Sequence, residues 1–141
     1  MNTDTVLVDV AVKDLSGAAL NWAVALVVDY KTALEENDHG PDEWIIIGRE
    51  DMYLTRDPDK FCVWSPSTDW SQGGPLIEKY HVDLHYPHGR DGLGWWAQAG
   101  THMESNPLAA IDATPLIAVC RAIVAAKLGD IVKVPACLVM Q

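Results

Sequence analysis

ATPLIAVCRAIVAAKLGD, residues Ala113–Asp130, carries helix punctuation at both ends. Thr114 has a side-chain oxygen suited to an N-cap. Pro115 fits the first helical position, where its missing N–H would have had no partner, and Gly129 fits the left-handed residue just past a helix end. Between them Leu116, Ile117, Cys120, Ile123, Val124 and Leu128 recur at helical spacing as one apolar face, while Arg121 and Lys127 point elsewhere. Such a face must lie on another element, so the flanking segments decide the fold.

Outward from this helix, IVKVP (Ile131–Pro135) reads as a short extended segment able to pair with a sheet edge. TVLVDVAV (Thr5–Val12) is rich in β-branched residues and predicts a first strand, with Asp9 interrupting one side. A helix from about Gly17 to Tyr30 follows, capped by Asp14 or Ser16. Its Leu20, Ala23, Val24 and Val27 fall at helical spacing, with Trp22 on a flank.

The middle of the chain reads as strands and turns. Glu35–Glu43 is a polar loop around Gly40-Pro41, WIIIG (Trp44–Gly48) a short buried strand, Arg49–Lys60 a surface excursion or hairpin arm, and FCVW (Phe61–Trp64) a further strand. HVDLHY (His81–Tyr86) and WWAQA (Trp95–Ala99) flank the glycine-rich PHGRDGLG and read as a hairpin, whereas Thr101–Asp112 reads as irregular surface chain. The sum is a single α+β domain over residues 1–141, a mostly antiparallel sheet with two main helices packed on one face. A sheet face left bare by only two helices would invite a homodimer.

Composition narrows the function classes. With 141 residues, 49% apolar and 21% charged, the chain can bury one core without disulfides or metals. A formal charge of -10 argues against a sequence-independent hold on nucleic acid. Cys62, Cys120 and Cys137 are odd in number with no paired spacing, so reduced thiols in a cytosolic compartment are expected. There is no basic leader followed by an apolar core, and no run approaches the roughly 18 apolar residues of a membrane span, so no membrane association is expected.

Ser65–Tyr80, SPSTDWSQGGPLIEKY, concentrates hydrogen-bonding chemistry. Pro66 stiffens the entry, and Ser67 or Thr68 can cap a short helical turn whose amides face outward. Gly73 and Gly74 allow positive φ and close backbone approach, and Pro75 fixes the exit and can begin a helix. Trp70 offers a flat face for a base or sugar, Asp69 an acceptor for ribose hydroxyls, Gln72 a donor and an acceptor, and Arg90 a partner for phosphate. In Trp95-Trp96 one indole faces outward if the segment is extended, and Trp95 joins the ligand-binding set as a pocket wall. The structural reading stands beside this one: Asp and Ser cap turns, Trp70 anchors the loop, and Gly-Gly-Pro reverses the chain.

His81, Asp83 and His85 alternate, so on a strand they share a face within reach of one metal ion, with His88 and His102 as further ligands. A strand with one wet face shows the same alternation. Cys120 and Cys62 read as packing thiols, and no nucleophile elbow, phosphate loop or zinc-protease motif is present, so no catalytic residue and no cofactor is assigned.

LSGAALNWAVA, SPSTDWSQGGPLIEKY and TPLIAVCRAIVAAKLGDIVKVP, in this order, resemble the NinX-like family of small proteins from tailed bacteriophages, a family of unknown function. The resemblance covers the first helix, the central turn and the last helix, and leaves out Glu35–Lys60 and His81–Asn106. It implies a phage-encoded accessory protein acting in the cytoplasm of the infected bacterial host, and carries over no catalytic residue. With the residues themselves, the expectation is a binder of a small, nucleotide-like ligand through Ser67 to Pro75, with sequestration of a host signal as its use. The alternatives are a module docking on a host or phage protein, and a nucleotide-directed enzyme.

Overall fold

The computed structural model describes residues 7–34, 44–47, 53–54, 64–85, 94–99, 110–112 and 114–139. In chain order they form β1 (Leu7–Ala11), a 3-10 turn at Val12–Asp14, α1 (Gly17–Val27), β2 (Lys31–Leu34), β3 (Trp44–Ile47) and β4 (Tyr53–Leu54). These are followed by α2 (Trp70–Lys79), β5 (Asp83–His85), β6 (Trp95–Gln98), β7 (Ala110–Asp112), α3 (Pro115–Leu128), β8 (Ile131–Pro135) and the short α4 (Ala136–Val139).

Every described strand pairing is antiparallel, and the fold class is α+β. The strands divide into three small sheets, β1-β8, β2-β3-β4 and β5-β6-β7. The anticipated edge pairing of Ile131–Pro135 is made with β1, with Asp9 opposite Lys133 and Val10 opposite Val132. The expected hairpin is β5-β6, where Leu84 faces Ala97. Two strands were not expected, β2 straight after the first helix and β7 at the end of the segment read as irregular.

α1 is the centre of the molecule. Ala19 through Ala25 are all buried, so the helix is covered on every side and not only along the stripe of Leu20, Ala23 and Val24. A helix without a charged side chain has no face that water favours, and neighbours enclose it. α3 packs across it and also covers β6 and β7, with α2 alongside; β8 and α4 close another side. Leu20, Val24, Val119, Ile123 and Val134 are fully buried, each worth about 1.5–3 kcal/mol relative to exposure.

α1 ends at Val27, short of the expected Tyr30, because the chain turns through Asp29 at φ 69° and the Tyr30 amide returns to the Ala25 carbonyl at 2.8 Å. α3 is bounded as its sequence predicts: the Thr114 hydroxyl accepts from the Ile117 amide at 3.3 Å, Pro115 opens the helix, and Gly129 ends it at φ 102°. Arg121, anticipated to point away, donates from Nε to the Leu15 carbonyl at 2.8 Å and ties α3 to the entry of α1.

Candidate functional site

Residues 64–73 thread the junction of α1, α2 and α3. Asn21, the one polar side chain in the body of α1, is the hub. Its Oδ1 accepts from the Ser67 amide at 3.1 Å and its Nδ2 donates to Ser65 Oγ at 3.3 Å. Its carbonyl accepts from the buried Trp64 Nε1 at 2.9 Å, and Tyr30 packs edge-on against Trp64 at 5.3 Å. From the other side, Gln72 Oε1 accepts from the Ser65 amide at 2.6 Å, and the Ser65 and Thr68 hydroxyls share a 2.6 Å hydrogen bond.

The central stretch is a ten-residue helix, α2, and its cap is Asp69 rather than Ser67 or Thr68. Asp69 Oδ1 accepts from the Ser71 amide at 2.9 Å and from the Ser71 hydroxyl at 2.7 Å. Gly73, Gly74 and Pro75 lie inside the helix; neither glycine adopts positive φ, and Pro75 neither reverses the chain nor starts a new element. Close approach is the reason for glycine at position 73, where a Cβ would stand 2.3 Å from the Pro66 carbonyl oxygen and 2.9 Å from Leu116 Cδ2.

Most of the backbone amides anticipated as an anion cradle have protein partners. Ser67 donates to Asn21, Thr68 and Asp69 to the Ser65 carbonyl, Ser71 to the Asp69 side chain, and Gln72 and Gly73 to the Asp69 carbonyl. What faces outward is different chemistry. Trp70 is 54% exposed. Its Cε3 lies 3.7 Å from where a Gly74 Cβ would stand, so the indole lies along the helix over a residue with no side chain. Asp69 and Thr68 are exposed beside it, and Pro75 is exposed on the same helix. Beneath them Ser67 is buried to 2% exposure, and its hydroxyl has no hydrogen-bond partner among the described residues.

The structure thus brings Ser67, Thr68, Asp69, Trp70, Gln72, Gly73, Gly74 and Pro75 together as one helix start. Trp95 is elsewhere, on β6, packed against the core. Its neighbour Trp96 takes the other face of the strand, where His85 packs on it at 5.0 Å. Arg90, His88, His102 and Cys62 lie outside the described residues. His81, Asp83 and His85 are exposed, with His81 at φ 53° in the turn after α2, and no cluster of three metal-ligating side chains occurs among the described residues.

Burial pushes the Cys120 thiol up to about 12, the environment of a packing residue and not of a nucleophile. The Tyr80 hydroxyl donates to the Val27 carbonyl at 3.3 Å, and its pKa is raised by burial and by Asp29 and Tyr30 nearby. Asn21 is the site residue that reading for ligand chemistry passed over. Its signal was a lone amide in an otherwise apolar helix.

Among the described residues no helix is long and apolar enough to cross a membrane. A family model described as bacteriophage P22, NinX matches residues 11–127, which include α1, the junction, α2, the β5-β6 hairpin and nearly all of α3. No curated protein matches the chain.

Proposed function

The chain belongs to the bacteriophage P22 NinX family, and on that premise we propose that this phage accessory protein, working in the cytoplasm of the infected host, binds a small nucleotide-like ligand at the start of α2. The observation that carries the proposal is the indole of Trp70, more than half exposed and close to Gly74 beside an exposed carboxylate. Leaving a tryptophan in water forgoes its burial energy, and a flat ring with an adjacent acceptor suits a base stacked on the ring and a ribose hydroxyl on Asp69. Asp69 keeps Oδ2 for that hydroxyl, because Oδ1 alone takes the cap bonds. Since the amides of Ser67, Thr68, Asp69, Ser71, Gln72 and Gly73 have internal partners, recognition falls on the nucleoside part of the ligand more than on its phosphate.

A panel of nucleosides, nucleotides and cyclic nucleotides tests this by thermal shift. A ligand at a hundred times its Kd stabilises by about 2.7 kcal/mol. Trp70→Ala is expected to abolish the shift while leaving the unliganded melt nearly unchanged.

The exposed indole also favours a second reading, since tryptophan is enriched among residues that dominate protein interfaces. A stoichiometric protein retained from infected cells by the wild type and lost with Trp70→Ala, without any nucleotide shift, replaces the first reading by the second. A full panel without a shift and no retained partner overturns both.

A further inference from the structure

The β1-β8 ribbon turns one face to the core; on the other, the Asp9–Lys133 and Ala11–Ile131 pairs lie toward solvent, while Pro135, opposite Leu7, is buried. Val132 and Val134 are buried on the inner face, with Val8 and Val10 packed beside them. The outer face presents Leu7 at 46% exposure and Ile131 at 59%, with Leu128 exposed just before the strand. Between Leu7 and Ile131 lies one ion pair, Lys133 Nζ to Asp9 Oδ1 at 2.8 Å, with both side chains about two-thirds exposed (66% and 63%).

We infer that this outer face is a two-fold interface with a second copy of the chain. The register supplies the argument. Asp9 sits opposite Lys133, and Ala11 opposite Ile131. A two-fold axis running along the ribbon, midway between its strands, exchanges the strands between layers. It places Asp9 over the partner's Lys133, Lys133 over the partner's Asp9, and Ile131 over the partner's Ala11. Charge meets opposite charge and large meets small, the self-complementarity that an isologous contact requires. An axis across the strands would set Asp9 on Asp9 and is excluded by like-charge repulsion.

The net charge of the chain supports the same occupant. Two copies at -10 each repel, so a self-contact belongs where local charge is balanced, and this ion pair balances it.

The test is oligomeric state by sedimentation equilibrium on the full chain and three samples derived from it. The wild type is expected to be a reversible dimer. Asp9→Lys presents two lysines to two lysines and Lys133→Asp two aspartates to two aspartates, so each variant alone is expected to associate roughly tenfold or more weakly. An equimolar mixture of the two variants is expected to form a mixed dimer, because one face is then positive and the other negative. That rescue separates contact between copies from loss of the intrachain ion pair, which mixing cannot restore. Circular dichroism melts establish that both variants fold, as exposed ion pairs contribute little to stability. A wild type that is monomeric throughout, variants that dimerise like the wild type, or a mixture that stays monomeric overturns the inference.

Discussion

Asn21 Oδ1 accepts the buried amide of Ser67 at 3.1 Å, so a side chain in the central helix fixes the segment that leads into the candidate ligand-binding helix. Asn21→Ala removes this acceptor and the donor to Ser65 Oγ, leaving the Ser67 amide without a partner away from water. A loss of about 1–3 kcal/mol is expected in urea unfolding. A loss below a few tenths would show that the hub is replaceable by water.

The adjacent glycines of α2 are expected to answer alanine with opposite signs. Gly73→Ala drives a Cβ against the Pro66 carbonyl and Leu116, and is expected to cost about 1–3 kcal/mol because backbone and core must shift together. Gly74→Ala meets only Trp70 Cε3 at 3.7 Å and replaces a flexible residue inside a helix, for an expected gain of about 0.5–1 kcal/mol. Paired melts of the two variants check the contrast.

Asp69 has two roles that substitution can separate. Asp69→Ala removes the cap on the Ser71 amide and is expected to cost about 1 kcal/mol. Asp69→Asn retains an equally good cap and is expected to leave stability nearly unchanged, while removing the charged acceptor beside Trp70. Ligand titration of Asp69→Asn is therefore expected to show weakened binding on an intact fold. Unchanged affinity would remove the carboxylate from the site.

The buried thiol of Cys120 sets an alkaline limit. Below the ordinary value of 9.0 both folded and unfolded chains hold the proton, and this group contributes no pH dependence. Above it the unfolded chain loses the proton while the folded chain retains it up to about 12, so the unfolded state binds fewer protons and stability falls with rising pH across that window. Urea unfolding of the wild type and Cys120→Ala at a series of alkaline pH values is expected to show a shallower decline in the variant. Alkylation of Cys120, read by peptide mass, is expected to be slow in the native protein and fast in denaturant.

The elements legible in the sequence were those whose local signals agree with their surroundings. Thr114, Pro115 and Gly129 bound α3 by their own chemistry, and the β-branched run at Leu7–Ala11 makes a strand. α2 was legible as a capped turn and as a helix beginning at Pro75 but not as one helix, because Gly73, Gly74 and Pro75 all oppose a helix interior by propensity. Packing decides there: Gly73 admits the Pro66 carbonyl and Leu116. β2 and β7 were missed because short strands take their identity from partners far along the chain, Ile47 for Lys31 and Trp95 for Asp112. At the site, the residue types were read from the stretch itself, but their roles were not. Whether Gln72 faces a ligand or the Ser65 amide depends on where α1 places Asn21, which no local pattern encodes.

The ribbon that joins Asp9 to Lys133 spans a sequence separation of 124 residues. Closing so long a loop carries an entropic cost that only late contacts repay, and topologies of this kind fold slowly. On the ribosome β1 emerges first and waits for almost the whole chain before its partner exists. The apolar central helix beside it must stay unenclosed over that interval, so the fold closes only once β8 has been made.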